Sequence, residues 1–233
     1  MRLDRFLSNL PSFNRQDVRL LLVGKRVQVD DRVVSDPHHA VREFSRVSVD
    51  GQVLQPGKAA RYLMLHKPIG CVSATLDPEH LTALDLLAEA ERPGLHIAGR
   101  LDLNTSGLLL LTNDGRWSRQ LTQPQSKKPK VYRVQTEQPI GSQYAEAFAR
   151  GLYFAYENLT TQPAQLELLD AHNARLTLYE GRYHQVKRMF GHFNNRVLGL
   201  HRESVASLML DPALVAGQYR SLSRQEIEQI GLD

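Results

Sequence analysis

Hydrophobic residues at the amino-terminal end of the chain recur at helical spacing. Apolar residues at i, i+3, i+4 and i+7 predict an amphipathic helix over residues 3–10, which Pro11 ends. Asn14 is a candidate cap for a second helix, whose apolar stripe includes Leu21 and which Gly24 ends. The chain is therefore predicted to begin with two short helices.

After the second helix the pattern changes from helical to alternating. Val27 and Val29 alternate with polar residues, Asp30-Asp31 predicts a turn, and the apolar pattern continues at Val33-Val34. Residues 47–53 alternate again, with Asp50-Gly51 between the apolar positions. Asp-Gly supplies the positive φ that a tight hairpin turn requires. Residues 1–54 are predicted to form a small α+β unit, and the polar, Pro- and Gly-bearing segment 55–61 is predicted to be a linker.

Residues 62–233 mix strand and helix patterns without a regular βαβ alternation. Strand patterns lie at 62–65, 108–111, 130–134, 166–168, 176–178 and 197–200, and helix patterns at 82–87, 142–152, 183–193 and from about 223. Thr82 is a candidate cap of the first of these helices, and Ser142 of the second, whose predicted apolar stripe is Ala145, Phe148, Ala149 and Leu152. The mixture predicts an α+β fold with a mainly antiparallel sheet flanked by helices.

A polar loop, residues 99–107, precedes the run of four leucines at 108–111. The leucine run predicts a short buried strand followed by a turn. Polar, Gly-flanked loops that enter buried strands often present reactive groups, and Asp102 is the acidic residue of this loop. On residue types alone, the commoner alternative is that Asp102 or Thr105 closes a turn or caps a helix.

Composition narrows the class of protein. The chain has 233 residues, of which 42% are hydrophobic, so it can bury a substantial core. It contains no run of about 18–20 apolar residues, as a membrane span requires. Charges within residues 1–5 lie where a signal peptide would be apolar, and the single cysteine, Cys71, fits a reducing compartment. We therefore expect a cytoplasmic protein.

Positive charge is clustered although the net charge is only +4. Between Arg116 and Arg133 every charged residue is basic, and residues 182–202 contain five Arg or Lys and no Asp or Glu. Such one-sided runs repel themselves unless an anion is nearby, although a run of charge is more often a solvated face.

No Gly-rich phosphate motif and no G-x-S-x-G elbow occurs, and the histidines are scattered. We expect no metal and no cofactor, and chemistry by a carboxylate, a phenol and cations on an anionic polymer.

Three motifs of the second unit, 99–115 (GRLDLNTSGLLLLTNDG), 130–134 (KVYRV) and 180–189 (EGRYHQVKRM), resemble the signature of the RsuA-type pseudouridine synthases. The segment 15–30 (RQDVRLLLVGKRVQVD) resembles the S4 RNA-binding domain. The resemblance covers essentially the whole chain. It implies an S4-like RNA-binding domain at 1–54 and a pseudouridine synthase domain at 62–233.

The resemblance implies isomerisation of a specific uridine to pseudouridine in 16S rRNA, of the position-516 type. It implies no cofactor, a monomer, and either 16S rRNA or a partly assembled small subunit as the partner. Two alternatives stay open. Relatives that act on 23S rRNA share the same motifs, and a non-catalytic RNA-binding assembly factor would use Asp102 only as a turn residue.

Motif positions assign expected roles to four residues. Asp102 matches the essential aspartate, Tyr132 the active-site tyrosine, Lys187 the basic residue that pairs with the aspartate, and Leu200 the aliphatic residue beneath the target base. An adjacent cation favours the ionised form that a carboxylate nucleophile needs. Attack on C1′ and elimination to a glycal both remain possible. The basic side chains expected to contact RNA are Arg15, Arg19, Lys25, Arg26, Arg100, Lys127, Lys128, Lys130, Arg182 and Arg188.

Overall fold

A computed structural model describes residues 1–230 and divides the chain into two compact units, Met1–Ala60 and Arg61–Asp233. Each unit has its own hydrophobic core. No helix among the described residues combines the length and the apolar character that crossing a bilayer requires.

The first unit packs two helices against a small antiparallel sheet. Its elements are α1 (Leu3–Ser8), α2 (Arg15–Val23), β1 (Val27–Val29), β2 (Arg32–Val33), β3 (Val47–Val49) and β4 (Gln52–Gln55), with strand order β2-β1-β3-β4. Asn14 caps α2 in a reciprocal capping box with Asp17, as its sequence predicts. Asp50 and Gly51 both adopt positive φ between β3 and β4, so the predicted hairpin is confirmed.

The second unit is built around one mixed sheet. Its strands are β5 (Tyr62–Lys67), β6 (His96–Ala98), β7 (Ser106–Thr112), β8 (Lys130–Thr136), β9 (Tyr153–Phe154), β10 (Leu159–Thr160), β11 (Gln165–Leu168), β12 (Asn173–Leu178), β13 (Val197–Val205), β14 (Leu208–Met209) and β15 (Tyr219–Ser221). Its helices are α3 (Gly115–Thr122), α4 (Gln143–Arg150), α5 (Gln185–Gly191) and α6 (Arg224–Gln229), with 3₁₀ turns at Glu89–Glu91 and Pro124–Ser126.

Nine of these strands form one sheet with the order β11-β12-β8-β13-β7-β5-β15, to which β14 adds beside β13 and β6 beside β7. Every pairing in it is antiparallel except the one between β13 and β7. The predicted α+β class with a mainly antiparallel sheet is confirmed.

The four leucines occupy the centre of this sheet. All four side chains of β7 from Leu108 to Leu111 are fully buried. Leu109 and Leu111 belong to the hydrophobic cluster on one face, and Leu108 and Leu110 to the cluster on the other, with Trp117 of α3. A strand that is covered on both faces needs apolar residues at every position, which explains the unbroken run.

Two helix predictions were wrong in detail. Residues 82–87 form turns instead of a helix, although the Thr82 hydroxyl accepts a hydrogen bond from the Asp85 amide at 3.2 Å, as a cap would, and the Asp85 carboxylate accepts one from the Thr82 amide. Helix α4 exists, but Ser142 makes no capping hydrogen bond through its side chain.

The predicted apolar stripe of α4 is confirmed at Phe148 and at Leu152, which follows the helix, but Ala145 is only half-buried and Ala149 is exposed. The buried face of the helix consists of Tyr144, Ala147 and Phe148. The Tyr144 ring stacks on Phe193 with a centroid distance of 4.0 Å, and this aromatic packing orients the helix.

The basic run that begins at Arg116 contains a helix that the charge pattern obscured. Helix α3 begins at an Asp114 cap and buries Trp117 and Leu121, while Arg116 and Arg119 stay exposed. The run is therefore partly the solvated face of an amphipathic helix.

Candidate active site

Four residues from distant parts of the second unit line one cavity of about 550 Å³: Asp102, Tyr132, Lys187 and Leu200. Arg100, Lys130 and Arg182 line the same cavity. A neighbouring depression of about 670 Å³ shares Lys187 and Leu200 with it.

Sheet order explains why these four residues meet. Asp102 lies in the loop between β6 and β7, Tyr132 on β8 and Leu200 on β13, which lies between β7 and β8 in the sheet. Lys187 comes from α5, which precedes β13 in the chain. The parallel pairing of β7 with β13 therefore brings the Asp102 loop beside the strand that carries Leu200.

The Asp102 carboxylate has two basic neighbours. Its Oδ2 atom lies 4.0 Å from Nζ of Lys187 and 3.6 Å from Nε2 of His184. Both distances are longer than hydrogen bonds, and about 31% of the Asp102 side chain is exposed to the cavity and solvent. A carboxylate in this setting is attracted to positive charge yet accessible to a reactant.

Two buried cationic side chains donate hydrogen bonds to backbone carbonyls of the Asp102 loop and of the strand that follows it. The Arg202 guanidinium donates to the carbonyls of Leu108, Arg100 and Gly99 at 2.8, 3.3 and 3.2 Å. The Lys67 ammonium donates to the Thr105 carbonyl at 2.7 Å. Burial lowers the pKa of Lys67, while the negative charge of Asp102 acts in the opposite direction.

Further contacts restrict the loop. The Ser73 hydroxyl accepts from the amide of Leu101 and donates to its carbonyl, at 2.9 and 2.8 Å. Gly107 has φ +111°, and a Cβ atom at that position would lie 2.3 Å from the Arg202 carbonyl oxygen. Glycine is therefore required where the loop enters β7.

The start of helix α5 is anchored by a buried carboxylate. Glu180 accepts hydrogen bonds from the Gln162 amide, the Gln185 side chain and the Arg182 guanidinium, at 2.8–2.9 Å. His184, which precedes the helix, adopts the left-handed conformation with φ +49°. These contacts orient the first turn of α5, and with it Lys187.

The cavity also has an apolar wall. Tyr132 and Leu200 are 9% and 7% exposed and lie on adjacent strands. Lys130 lies on the same strand as Tyr132, and burial lowers the pKa of its ammonium group. The cavity is thus lined both by this apolar wall and by the polar groups of Asp102 and Lys187.

The basic residues predicted to contact RNA fall into two groups. Three of them hold carboxylates: Arg26 with Asp50, Arg182 with Glu180, and Arg188 with Glu157. Arg188 also lies 3.7 Å from the centroid of the Phe154 ring. Of the other seven, Arg15, Arg19, Lys25, Arg100 and Lys127 are exposed, and Lys128 and Lys130 are half-buried.

Sequence reasoning missed the residues that support the site. Lys67, Arg202 and Glu180 are buried ionisable side chains, and none was selected from the sequence. The sequence could have indicated Lys67 and Arg202, because each is a lone cation at the end or in the middle of an apolar strand. A buried cation of this kind requires a hydrogen-bond or ion-pair partner. Within residues 1–230, no group of three or more His, Cys, Asp or Glu side chains is arranged to hold a metal ion.

Comparison with known proteins gives one consistent family. Residues 61–192 match the family described as RNA pseudouridylate synthase. The chain is 60% identical to a ribosomal small subunit pseudouridine synthase A of Pseudomonas aeruginosa over 227 residues, 97% of this chain and 99% of the relative. It is 41% identical to the protein of that name from Escherichia coli (strain K12) over 99% of this chain and 100% of the relative.

A solved structure is also similar over its whole length. A crystal structure of a pseudouridylate synthase superposes with a TM-score of 0.73 at 35% sequence identity, covering 99% of this chain and 100% of that one.

Proposed function

This chain belongs to the RNA pseudouridylate synthase family, an isomerase family, and on that premise we propose that it converts a specific uridine of small-subunit rRNA to pseudouridine. The observation that carries the proposal is the 60% identity to a small-subunit synthase over 97% of the chain. The target we expect is of the position-516 type in 16S rRNA.

The reaction rearranges bonds without net loss or gain of atoms. The bond between C1′ and N1 of uridine breaks, a bond forms between C1′ and C5, the proton leaves C5, and N1 gains a proton. We assign Asp102 the role of nucleophile, because its carboxylate lines the cavity and lies 4.0 Å from Lys187. Lys187 stabilises the ionised carboxylate before attack.

The target base has to leave its stack to reach Asp102. Flipping a base costs a few kcal/mol, and stacking within the cavity offsets part of this cost. Tyr132 and Leu200 are the groups that we assign to contact the uracil, since both line the cavity and belong to its apolar wall.

We further propose that the first unit acts as an S4-like RNA-binding domain. Arg15 and Arg19 lie one turn apart on α2 and are exposed, and Lys25 follows the helix. Phosphate contacts from such residues give affinity that falls with salt. In the second unit, Arg100 is suited to bind phosphate at the cavity. We expect a monomeric, cytoplasmic protein that acts on 16S rRNA or a partly assembled small subunit.

The test is incubation with 16S rRNA, alone and with small-subunit ribosomal proteins, followed by mapping of pseudouridine by carbodiimide-blocked primer extension. Asp102→Asn serves as the matched control, because it keeps the size of the side chain and removes its charge. We expect one new stop with the wild type, and at least about a 10³-fold loss of rate in the variant with RNA binding retained.

The alternatives give different outcomes. A stop only on 23S rRNA would reassign the substrate to the large subunit and leave the chemistry intact. Equal stops with wild type and Asp102→Asn would remove Asp102 from the role of nucleophile. RNA binding without a stop on either rRNA would favour a non-catalytic assembly factor.

A further inference from the structure

An exposed tyrosine stands at the edge of the cavity with one face of its ring covered. Tyr183 is 75% exposed, although most large apolar side chains of the second unit are buried. Its ring stacks on the imidazole of His184 with a centroid distance of 3.9 Å and an interplanar angle of 19°. A ring that is covered on one face and highly exposed overall offers its other face to a ligand.

The stack is attached to the site of the reaction. Tyr183 and His184 both line the cavity, and Nε2 of His184 lies 3.6 Å from the Asp102 carboxylate. The left-handed backbone of His184, just before α5, sets the direction of its side chain. The Glu180 contacts with Arg182 and Gln185 hold the segment on both sides of the stack.

The chemistry of the open face selects its ligand. Aromatic rings bind nucleobases by stacking, with little dependence on base identity, and this is the usual contact between proteins and unpaired nucleotides. The uridine in the cavity is already contacted by Tyr132 and Leu200 under the proposed function. The base next to it in the strand loses a stacking partner when the uridine flips out.

We propose that the Tyr183–His184 stack is a binding site for the nucleobase adjacent to the flipped uridine. The ring of Tyr183 replaces the stacking partner that this base loses, and so lowers the cost of flipping. The inference rests on uridine isomerisation in RNA and is independent of which ribosomal subunit supplies the uridine.

The competing explanation is that Tyr183 only holds His184 in place beside Asp102. In that case, loss of the ring would change the reaction rate and would be indifferent to the neighbouring base. A stacking site predicts instead that the ring and the neighbouring base depend on each other energetically.

A thermodynamic cycle separates the two explanations. Dissociation constants are measured in the Asp102→Asn background, for Tyr183 and Tyr183→Ala, on a fragment of the rRNA that the wild type modifies. Each protein is tested on the intact fragment and on fragments with an abasic site on the 5′ or the 3′ side of the target uridine. We expect Tyr183→Ala to weaken binding of the intact RNA about 5-fold or more, and to have less than a 2-fold effect on one abasic fragment.

Two controls accompany the cycle. Tyr183→Phe keeps the ring and should bind within 2-fold of Tyr183, while Tyr156→Ala removes a 96% exposed tyrosine that does not line the cavity and should show no coupling to either abasic site. Equal losses from Tyr183→Ala on all three RNAs would overturn the proposal. So would a purely kinetic effect, in which every dissociation constant of the cycle is unchanged while Tyr183→Ala lowers kcat in the enzyme that retains Asp102.

A wrong assignment of the RNA substrate can be distinguished from a wrong assignment of the stacking site. If the wild type modifies 23S rRNA only, the cycle is carried out on that RNA, and coupling there supports the stacking site while contradicting the small-subunit assignment.

Discussion

The Lys187 ammonium lies 4.0 Å from the Asp102 carboxylate, and this contact joins the first turn of α5 to the loop between β6 and β7. His184 approaches the same oxygen at 3.6 Å. Two further cations, the buried side chains of Arg202 and Lys67, donate hydrogen bonds to the backbone of the same loop. Four basic side chains thus lie around the Asp102 carboxylate or the loop that carries it.

Replacement of Lys187 tests the electrostatic role of this contact. We expect Lys187→Met to lower kcat about 10²-fold, because it removes a charge beside the reacting carboxylate, and Lys187→Arg to retain a larger part of the activity. Release of tritium from RNA labelled at C5 of uridine measures the rate, since the reaction expels that proton.

The control for charge alone is Lys58→Met, at an exposed lysine of the first unit. A rise in KM with unchanged kcat in Lys187→Met would identify Lys187 as an RNA contact instead of a partner of Asp102.

Gly107→Ala tests the close approach between the Asp102 loop and β13. A Cβ atom would lie 2.3 Å from the Arg202 carbonyl oxygen, and φ at this residue is +111°. We expect a loss of at least about 3 kcal/mol in the free energy of unfolding, measured with urea, and a matching loss of soluble protein.

Gly191→Ala is the matched control, since an added Cβ there meets no atom within 4 Å and the backbone has no positive φ. We expect it to change the free energy of unfolding by less than about 1 kcal/mol. Similar stability of the two variants would mean that the loop and β13 can separate without cost.

Glu226→Gln tests the pH dependence of stability. Hydrogen bonds from Arg220 lower the pKa of Glu226 from 4.5 to about 2. Its folded pKa lies below its unfolded value, so its contribution to stability is complete above pH 4.5 and is lost as the pH falls through about 2. We expect the variant to be less stable than the wild type by up to about 3 kcal/mol at pH 7, and the difference to shrink between pH 5 and 2.

Glu228→Gln removes the same charge from the same helix, α6, and is its control. Glu228 pairs with Arg224 on an exposed surface, with side-chain exposures of 58% and 90%. Exposed pairs contribute little, so we expect a small and nearly pH-independent effect in urea unfolding. Parallel pH curves for wild type and Glu226→Gln would contradict the role given to Glu226.

Arg15→Glu combined with Arg19→Glu tests RNA binding by the first unit. Both residues are exposed on α2, and we expect weaker RNA binding with a salt dependence reduced by about one to two phosphate contacts. Affinity is measured across a salt titration, with unfolding curves to verify that the fold is retained.

Arg32→Glu combined with Arg42→Glu makes the same change of charge at two other exposed arginines of this unit. If both double variants weaken binding equally, the effect comes from net charge and not from the α2 surface. Affinity that is unchanged across the titration would show that this surface is only solvated.

Local sequence patterns determined much of this protein. The Asn14 cap, the Asp50-Gly51 hairpin and the leucine strand of β7 each depend on residues a few positions apart, and each is present as predicted. Caps, turns and periodicity act over one turn or one strand, so they can be recognised without knowledge of the fold. The motifs around Asp102 and Lys187 were recognisable in the same way.

Only the tertiary structure decided the pairings that no motif indicated. Patterns of charge did not indicate that Arg188 pairs with Glu157 or that Arg182 pairs with Glu180. They also did not indicate that Arg202 is buried against the Asp102 loop. The predicted stripe of α4 was right at Phe148 and wrong at Ala149, and the stacking of Tyr144 on Phe193 places Tyr144 on the buried face instead.

The physical reason is the range of the interactions. A cap or a turn is stabilised by its own neighbours, whereas an ion pair or a stacked ring depends on a strand order that the whole sheet establishes. Basic residues that look alike in the sequence thus have different roles in the folded protein. Some donate hydrogen bonds to the backbone of a loop, some pair with a carboxylate, and others are exposed and available to RNA.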